Sequence, residues 1–166
     1  MAQNFSSKGT SINKTKLPSI YRKLGSKIQG KRVLDYGCGR YVDHIEKYLE
    51  SMHCYPFFYD PYNRPEEENY KWIRECGYQN DDVAICSNVL NVIDDEKTIT
   101  GIIHVLGFFA KESYITVYEG DKTGNGRQTG PDQYQRNEKA SAYLERIQKL
   151  GYWAELRNGV IHMRRK

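Results

Sequence analysis

Asp35, Gly37 and Gly39 stand in the run VLDYGCG at residues 33–39, and Asp60 follows 25 positions after Asp35. Two glycines after a short apolar run make a turn where backbone can approach a ligand closely, because no Cβ intervenes and left-handed angles are open to them. A carboxylate two residues before the first glycine repels a pyrophosphate and attracts a cation. A second carboxylate, at the end of the next apolar run, can accept two hydrogen bonds from a ribose diol. Val42 occupies the place of the third glycine of the dinucleotide fingerprint GxGxxG, so the close helix-packing residue of a phosphate-binding turn is missing. Sign of charge and spacing therefore favour a nucleoside cofactor that is itself cationic.

The elements that must carry these residues follow from periodicity. Pro18, Ile20, Leu24 and Ile28, closed by Gly30, have the spacing and punctuation of an amphipathic helix. RVLDY then reads as a strand, and Val42, Ile45, Leu49 and Met52 recur at helical intervals behind the glycine turn. Tyr55 to Tyr59 and Val83 to Ser87 are two further strands, the first limited by Asp60-Pro61. Asp94 and Asp95 are positioned to cap a helix whose apolar face is Ile99, Ile102, Ile103 and Leu106. Residues 113–118 read as a strand, and Tyr143, Leu144, Ile147 and Leu150 as a helical stripe ended by Gly151. Asn158-Gly159 between the last two strands is a hairpin signal, since both positions must tolerate positive φ. Residues 62–82 show no strand, although Trp72, Ile73 and Cys76 suit a short helix.

Strands alternating with helices imply a Rossmann-like, mostly parallel α/β sheet covered on both faces, with the terminal hairpin adding an antiparallel element and one usual strand missing. At 166 residues the chain reads as one domain over 1–166, a basic extension and helix at 1–31 preceding a core at 33–166.

VLDYGCG resembles the first motif of class I S-adenosylmethionine-dependent methyltransferases, and the acid at Asp60 their second. Tyr41 stands where that family's GxGxG pattern has its third glycine. The resemblance covers most of the chain from Val33 onward. It implies that Asp35, Gly37 and Gly39 line the methionine portion of S-adenosylmethionine, that Asp60 binds the ribose, and that Pro61 and Tyr62 lie near adenine. The strings DYGCGR, YDPYNRP and SNVLNVIDD resemble more narrowly a group of bacterial and phage methyltransferase-like proteins, including those associated with DNA phosphorothioation gene clusters. That group has no defined acceptor.

On the acceptor side, Ser87-Asn88-Val89-Leu90-Asn91 follows a strand and faces the same crevice. Asn88 and Asn91 are candidates to orient an acceptor, Asn88 also to touch the cofactor. Local turn capping is the alternative for both. Neither a (D/N/S)PP(Y/F) acceptor motif nor a Pro-Cys nucleophile is present, which argues against the two best-known DNA base methylations. The polar connection 119–138 is long enough to be a functional loop. Arg127 and Arg136 in it could anchor an anion, with Gln128 and Gln133 as neutral partners and Gly124, Gly126 and Gly130 allowing closure. Tyr62, Tyr70 and Trp72 could stack on bases.

No acidic residue precedes Asp35, whereas Lys8, Lys14, Lys16, Arg22, Lys23, Lys27, Lys31 and Arg32 do. Such asymmetry suits steering of a nucleic acid, and equally ordinary solubility charge. Cys38, Cys54, Cys76 and Cys86, like the four histidines, lack metal-ligand spacing, so no metal is expected. No apolar run approaches the roughly 18 residues of a membrane span, and the opening residues lack a signal-peptide block, so the expected compartment is the cytoplasm. The oligomeric state is open. The expectation is methyl transfer from S-adenosylmethionine to an undetermined acceptor. The alternatives are a non-catalytic binding or sensor protein and, third, a nicotinamide-dependent enzyme.

Overall fold

The computed structural model describes residues 3–11, 13–75 and 83–166. A short helix α1 (Ser19–Leu24) leads into β1 (Arg32–Tyr36), α2 (Asp43–Ser51) and β2 (Tyr55–Tyr59). Two brief helices, α3 (Glu66–Asn69) and α4 (Lys71–Glu75), precede β3 (Val83–Ser87). The long helix α5 (Glu96–Phe109), β4 (Glu112–Thr116), and the small strands β5 (Arg127–Gly130) and β6 (Gln133–Gln135) follow. The chain closes with α6 (Ala140–Lys149), β7 (Trp153–Arg157) and β8 (Val160–Arg164).

Six strands form one sheet in the order β2-β1-β3-β4-β8-β7. The first four run parallel, while β8 is antiparallel to both β4 and β7. Side chains alternate between its faces, as strand geometry requires. Val33, Val83, Ile85 and Val160 pack with Ile20 and Leu24 of α1 and Ile45 and Leu49 of α2. Leu34, Ala84, Cys86, Ile115 and Ile161 pack with Ile99, Ile103 and Leu106 of α5 and with Tyr143 and Ile147 of α6. Asp35 shares the parity of Val33 and so belongs to the α1 face. From β1 the chain runs to β2 on one side, whereas β3 pairs on the other. Such a reversal opens a crevice beyond the carboxyl ends of the strands.

Several expectations need correction. The first helix is interrupted at Gly25, whose φ of 48° and ψ of −126° no α-helix accommodates, and it continues to Ile28 only as a 3-10 turn. Asp95 does cap α5, accepting from Thr98 N at 2.7 Å, but Asp94 instead binds Asn4, whose Nδ2 donates to it at 2.6 Å. The connection 119–138 is not irregular: β5 and β6 pair antiparallel within it. Within 62–82 the described residues are helical from Glu66 to Asn69 and from Lys71 to Glu75, while Cys76 and the Trp72 side chain lie outside what is described. Cys54 and Cys86 are buried free thiols. No helix among the described residues is long and apolar enough to cross a membrane.

The hairpin turn adopts positive φ at both positions, 51° at Asn158 and 72° at Gly159. A β-branched residue is excluded from that region by its Cβ, at a cost of roughly 1–2 kcal/mol. Gly159→Val should accordingly lower Tm by a few degrees in calorimetry.

Candidate functional site

Asp35 is 3% exposed at the end of β1, and Tyr21 Oη of α1 donates to its Oδ2 at 2.5 Å. Burial pushes the carboxyl up to about 7; the Tyr21 hydrogen bond pulls it down and the nearby Asp60 raises it. Burial and the Asp35 charge likewise push the Tyr21 hydroxyl up, so it remains the donor. Among the described residues no cation pairs with Asp35.

The glycine turn behind it is confined on two sides. Gly37 has φ 78°, and a Cβ there would stand 2.3 Å from Val89 Cγ2. Gly39 has φ 74°, and its Cβ would meet Ser11 Oγ at 2.1 Å. Both positions thus require glycine for conformation and for close approach. The turn is held to β2 by Gly37 N and Cys38 N, which donate to Tyr59 O at 2.6 and 3.2 Å.

Asp60 has a different occupation from the one its spacing implied. Its Oδ2 accepts from Gly39 N at 2.9 Å and Asn63 Nδ2 at 3.1 Å, and its Oδ1 from Tyr62 N and Asn63 N, both at 2.9 Å. A carboxylate has about four acceptor positions, and all are engaged. Asp60 ties the glycine turn to the 61–63 turn, and a ribose diol would have to displace the Asn63 side chain to reach it. Asn69 completes the corner: its Oδ1 accepts from Asp60 N at 2.8 Å and its Nδ2 donates to Asp60 O at 3.0 Å.

After β3, Asn88 adopts φ 57° and donates its backbone N–H to Thr116 O at 2.8 Å. Asn91 is 2% exposed; its Nδ2 donates to Gln135 Oε1 at 3.2 Å, and its Oδ1 has no partner. Arg127 is exposed and lies 3.9 Å from Asp121. Asp35, Gly37, Gly39, Asp60, Pro61, Tyr62, Asn88, Asn91 and Arg127 all line one cavity of about 870 Å³. Its volume falls in the upper part of the range of small-molecule sites.

Arg136 does not join them. It is 8% exposed and bound to Glu138 at 3.0 Å, to Glu96 and to Ile93 O at 3.0 Å. Arg146 also bridges Glu138, at 2.5 Å, and Glu96 at 3.1 Å. Burial alone would raise the Glu138 carboxyl, but the two arginines hold it below its ordinary value. This cluster fastens the segment after β6 to α5 and α6 and leaves Arg136 no free face for an anion. Gln128 is turned to its own hairpin, donating to Gly130 O at 2.9 Å. Tyr70 is half exposed and not part of the cavity wall.

A wall the sequence did not announce comes from residues 3–11. Ser6 N donates to Asp132 Oδ1 at 2.8 Å, Ser7 N to Asp132 O at 2.9 Å and Ser7 Oγ to Val92 O at 3.0 Å. Phe5 stacks on Tyr134 with centroids 5.7 Å apart. At the other end Arg40 N donates to Ser11 Oγ and Arg40 Nη2 to Lys8 O, each at 3.1 Å. Gln3, Ser6, Ser7, Thr10 and Ser11 consequently face the cavity. This part of the basic extension is a built wall rather than a free arm. Short polar residues without periodicity carry no sequence signal for such a role.

No protein-family model and no curated protein sequence matches the chain. In three dimensions it is similar to a solved Burkholderia thailandensis 1,6-didemethyltoxoflavin-N1-methyltransferase with bound 1,6-didemethyltoxoflavin and S-adenosylhomocysteine. The TM-score is 0.63 at 17% identity, over 89% of this chain and 75% of that one. The chain shares its fold with that methyltransferase. At this identity the likeness speaks for architecture, and the chemistry has to be argued from the cavity itself.

The Asp35 carboxyl has its own stability signature. Its folded value of about 7 lies above the ordinary 3.8, so its contribution is fully present below about pH 4 and is lost as pH rises to 7. Wild type should lose up to about 1.4 kcal/mol per pH unit across that window relative to Asp35→Asn. Denaturant titrations at stepped pH would show the gap widening to about pH 7 and then flattening. Tyr21→Phe removes the hydrogen bond that lowers the carboxyl, so carboxyl NMR should find Asp35 titrating higher than in wild type; a downward shift would contradict this geometry.

Proposed function

We propose that the protein transfers a methyl group from S-adenosylmethionine to an acceptor held beside the 88–91 loop. The observation that carries this is Asp35: a buried carboxylate without a cationic partner, facing a large cavity at the switch point of a methyltransferase fold. An uncompensated buried charge is costly unless a ligand supplies the opposite one. The ammonium and sulfonium of S-adenosylmethionine do so, whereas a pyrophosphate would add repulsion. The residues present fit the methionine portion at Asp35, Gly37 and Gly39. At the ribose end they fit once Asn63 yields its place on Asp60. Pro61 and Tyr62 then lie beside the nucleoside base.

When bound, the cofactor supplies an electrophilic methyl carbon. The protein's part is to hold the acceptor in line with it and to exclude water, which is catalysis by proximity and desolvation. Asn88 and Asn91 orient the acceptor, and Arg127 stands at the outer wall. A carboxylate that titrates near 7 binds a cation best when ionised, so affinity should fall as pH drops below 7, approaching tenfold per unit.

Calorimetric titration with S-adenosylhomocysteine at pH 8 and pH 6 tests the reading. Binding at pH 8, weakened at pH 6 and reduced roughly 10- to 100-fold by Asp35→Asn, is the expected pattern. No binding at pH 8, or a thermal shift with a nicotinamide dinucleotide in its place, would overturn it.

A further inference from the structure

The cavity has two unlike halves. Under the ends of β1 and β2 it carries the carboxylates of Asp35 and Asp60. Beyond β3 and β4 most of its wall is uncharged, with Ser7, Asn88, Asn91, Thr129, Tyr134 and Gln135 supplying polar groups. The charges on that side have neighbours of opposite sign: Arg127 stands 3.9 Å from Asp121, and the Asp132 carboxyl, held below its ordinary value chiefly by the Ser6 hydrogen bonds, also feels Lys8. Arg136, the other cation of the hairpin, is spent on Glu96 and Glu138. Among the described residues a polyanion meets no free row of cations here, and nucleic-acid grooves depend on one. Residues 3–11, tied to Val92, Asp94, Asp132 and Arg40, close off the side from which a polymer would approach.

Two buried side-chain oxygens on this wall, Asn91 Oδ1 and Asn137 Oδ1, lack a partner, and the identity of the first is fixed by its neighbours. Tyr118 O can only accept, so the group facing it at 2.9 Å is Gln135 Nε2. That places Gln135 Oε1 toward Asn91, and the group facing it at 3.2 Å is therefore Nδ2. The Asn91 amide is thereby oriented with its oxygen turned from Gln135, buried and without a donor, on a residue that lines the cavity. Turning either amide would set two acceptors against each other. A ligand that brings an N–H or O–H to Asn91 Oδ1 would satisfy it.

The lining decides between nitrogen and oxygen. A hydroxyl has to lose its proton as it attacks and so needs a positioned base. No histidine is among the described lining residues. Of the carboxylates, Asp60 has every acceptor position filled, Asp121 faces Arg127, and Asp35 lies in the cofactor half. A neutral nitrogen attacks through its lone pair and sheds its proton afterwards.

We infer that the methyl acceptor is a small, uncharged molecule with an N–H nucleophile, held by a hydrogen bond to Asn91 Oδ1 between residues 3–11 and the β5–β6 hairpin. This rests on the methyl-transfer reading. The acceptor nitrogen uses its lone pair to form the N–CH₃ bond while the CH₃–S bond breaks and its electron pair stays on sulfur. The sulfonium becomes a neutral thioether. The positive charge passes to nitrogen, and the N–H proton then leaves to water.

Purified full-length protein is incubated with methyl-labelled S-adenosylmethionine and a bacterial extract separated into a small-molecule ultrafiltrate, a nucleic-acid fraction and a protein fraction. The expected result is label in the ultrafiltrate, on nitrogen by mass and NMR. With that product's precursor as substrate, Asn91→Ala should lose about tenfold or more in kcat/KM while its affinity for S-adenosylhomocysteine stays within about twofold of wild type. Label in nucleic acid or protein, label on oxygen or carbon, or an unaffected Asn91→Ala would overturn the inference. So would an absence of label from every fraction by protein that binds S-adenosylhomocysteine. Failure to bind S-adenosylhomocysteine overturns both this inference and the reading beneath it.

Discussion

The hydrogen bond from Tyr21 Oη to Asp35 Oδ2, 2.5 Å long, joins a helix outside the sheet to the end of its first strand. Both groups are buried, and both are pushed toward their neutral forms by that burial. One hydroxyl is poor compensation for a desolvated carboxylate, which normally demands a cation or several donors. The elements around it accept this because the same face of β1 also seats Val33 against Ile20 and Leu24, and that apolar contact holds α1 over the acid. The site is thus assembled by ordinary core packing around a group that packing alone disfavours. Such local conflict is expected where a ligand completes the structure.

Strands and helices with buried residues were legible because burial leaves apolar runs and stripes: Tyr55–Tyr59 and Val83–Ser87 lie where such runs and their punctuation placed them. The β5–β6 hairpin was not. Arg127, Gln128 and Thr129 are all exposed, so RQTG offers no apolar alternation, and its pairing is visible only in the backbone ladder. Residues 3–11 were opaque for a related reason. Their ties are mostly Ser, Asn and Asp hydrogen bonds across up to 127 positions of sequence, and local pattern contains nothing about such partners.

Within the site, residue types were legible and their partners were not. Gly37 and Gly39 line the cavity as their type suggested, and the place a Cβ would take at each is filled by Val89 and Ser11 of the protein itself. Asp60 sits at the end of β2 as its spacing implied, but its carboxylate organises two turns. Arg127 and Arg136 looked equivalent as anion anchors. Only the folded chain separates them, because Glu96 and Glu138 converge on Arg136 from α5 and from the residue beside α6. A sequence names donors and acceptors one at a time; satisfaction of those groups is a property of the assembled fold.

The two walls of the cavity differ in what holds them, and that difference bears on access. The glycine-turn side belongs to the sheet, with Leu34, Val33 and Ile85 in the core beneath it. The 3–11 side includes a 3-10 turn with no buried residue, and it is attached mainly through polar bonds to Asp94, Asp132, Val92 and Arg40. Each such bond contributes a net of only about 0.5–1.5 kcal/mol, because water replaces it when it breaks. Opening this wall therefore costs far less than disturbing the sheet, and segments held in this way open well before the whole domain unfolds. The packed layers that position Asp35 and the polar ties that hold residues 3–11 are therefore two separate sources of order around one cavity.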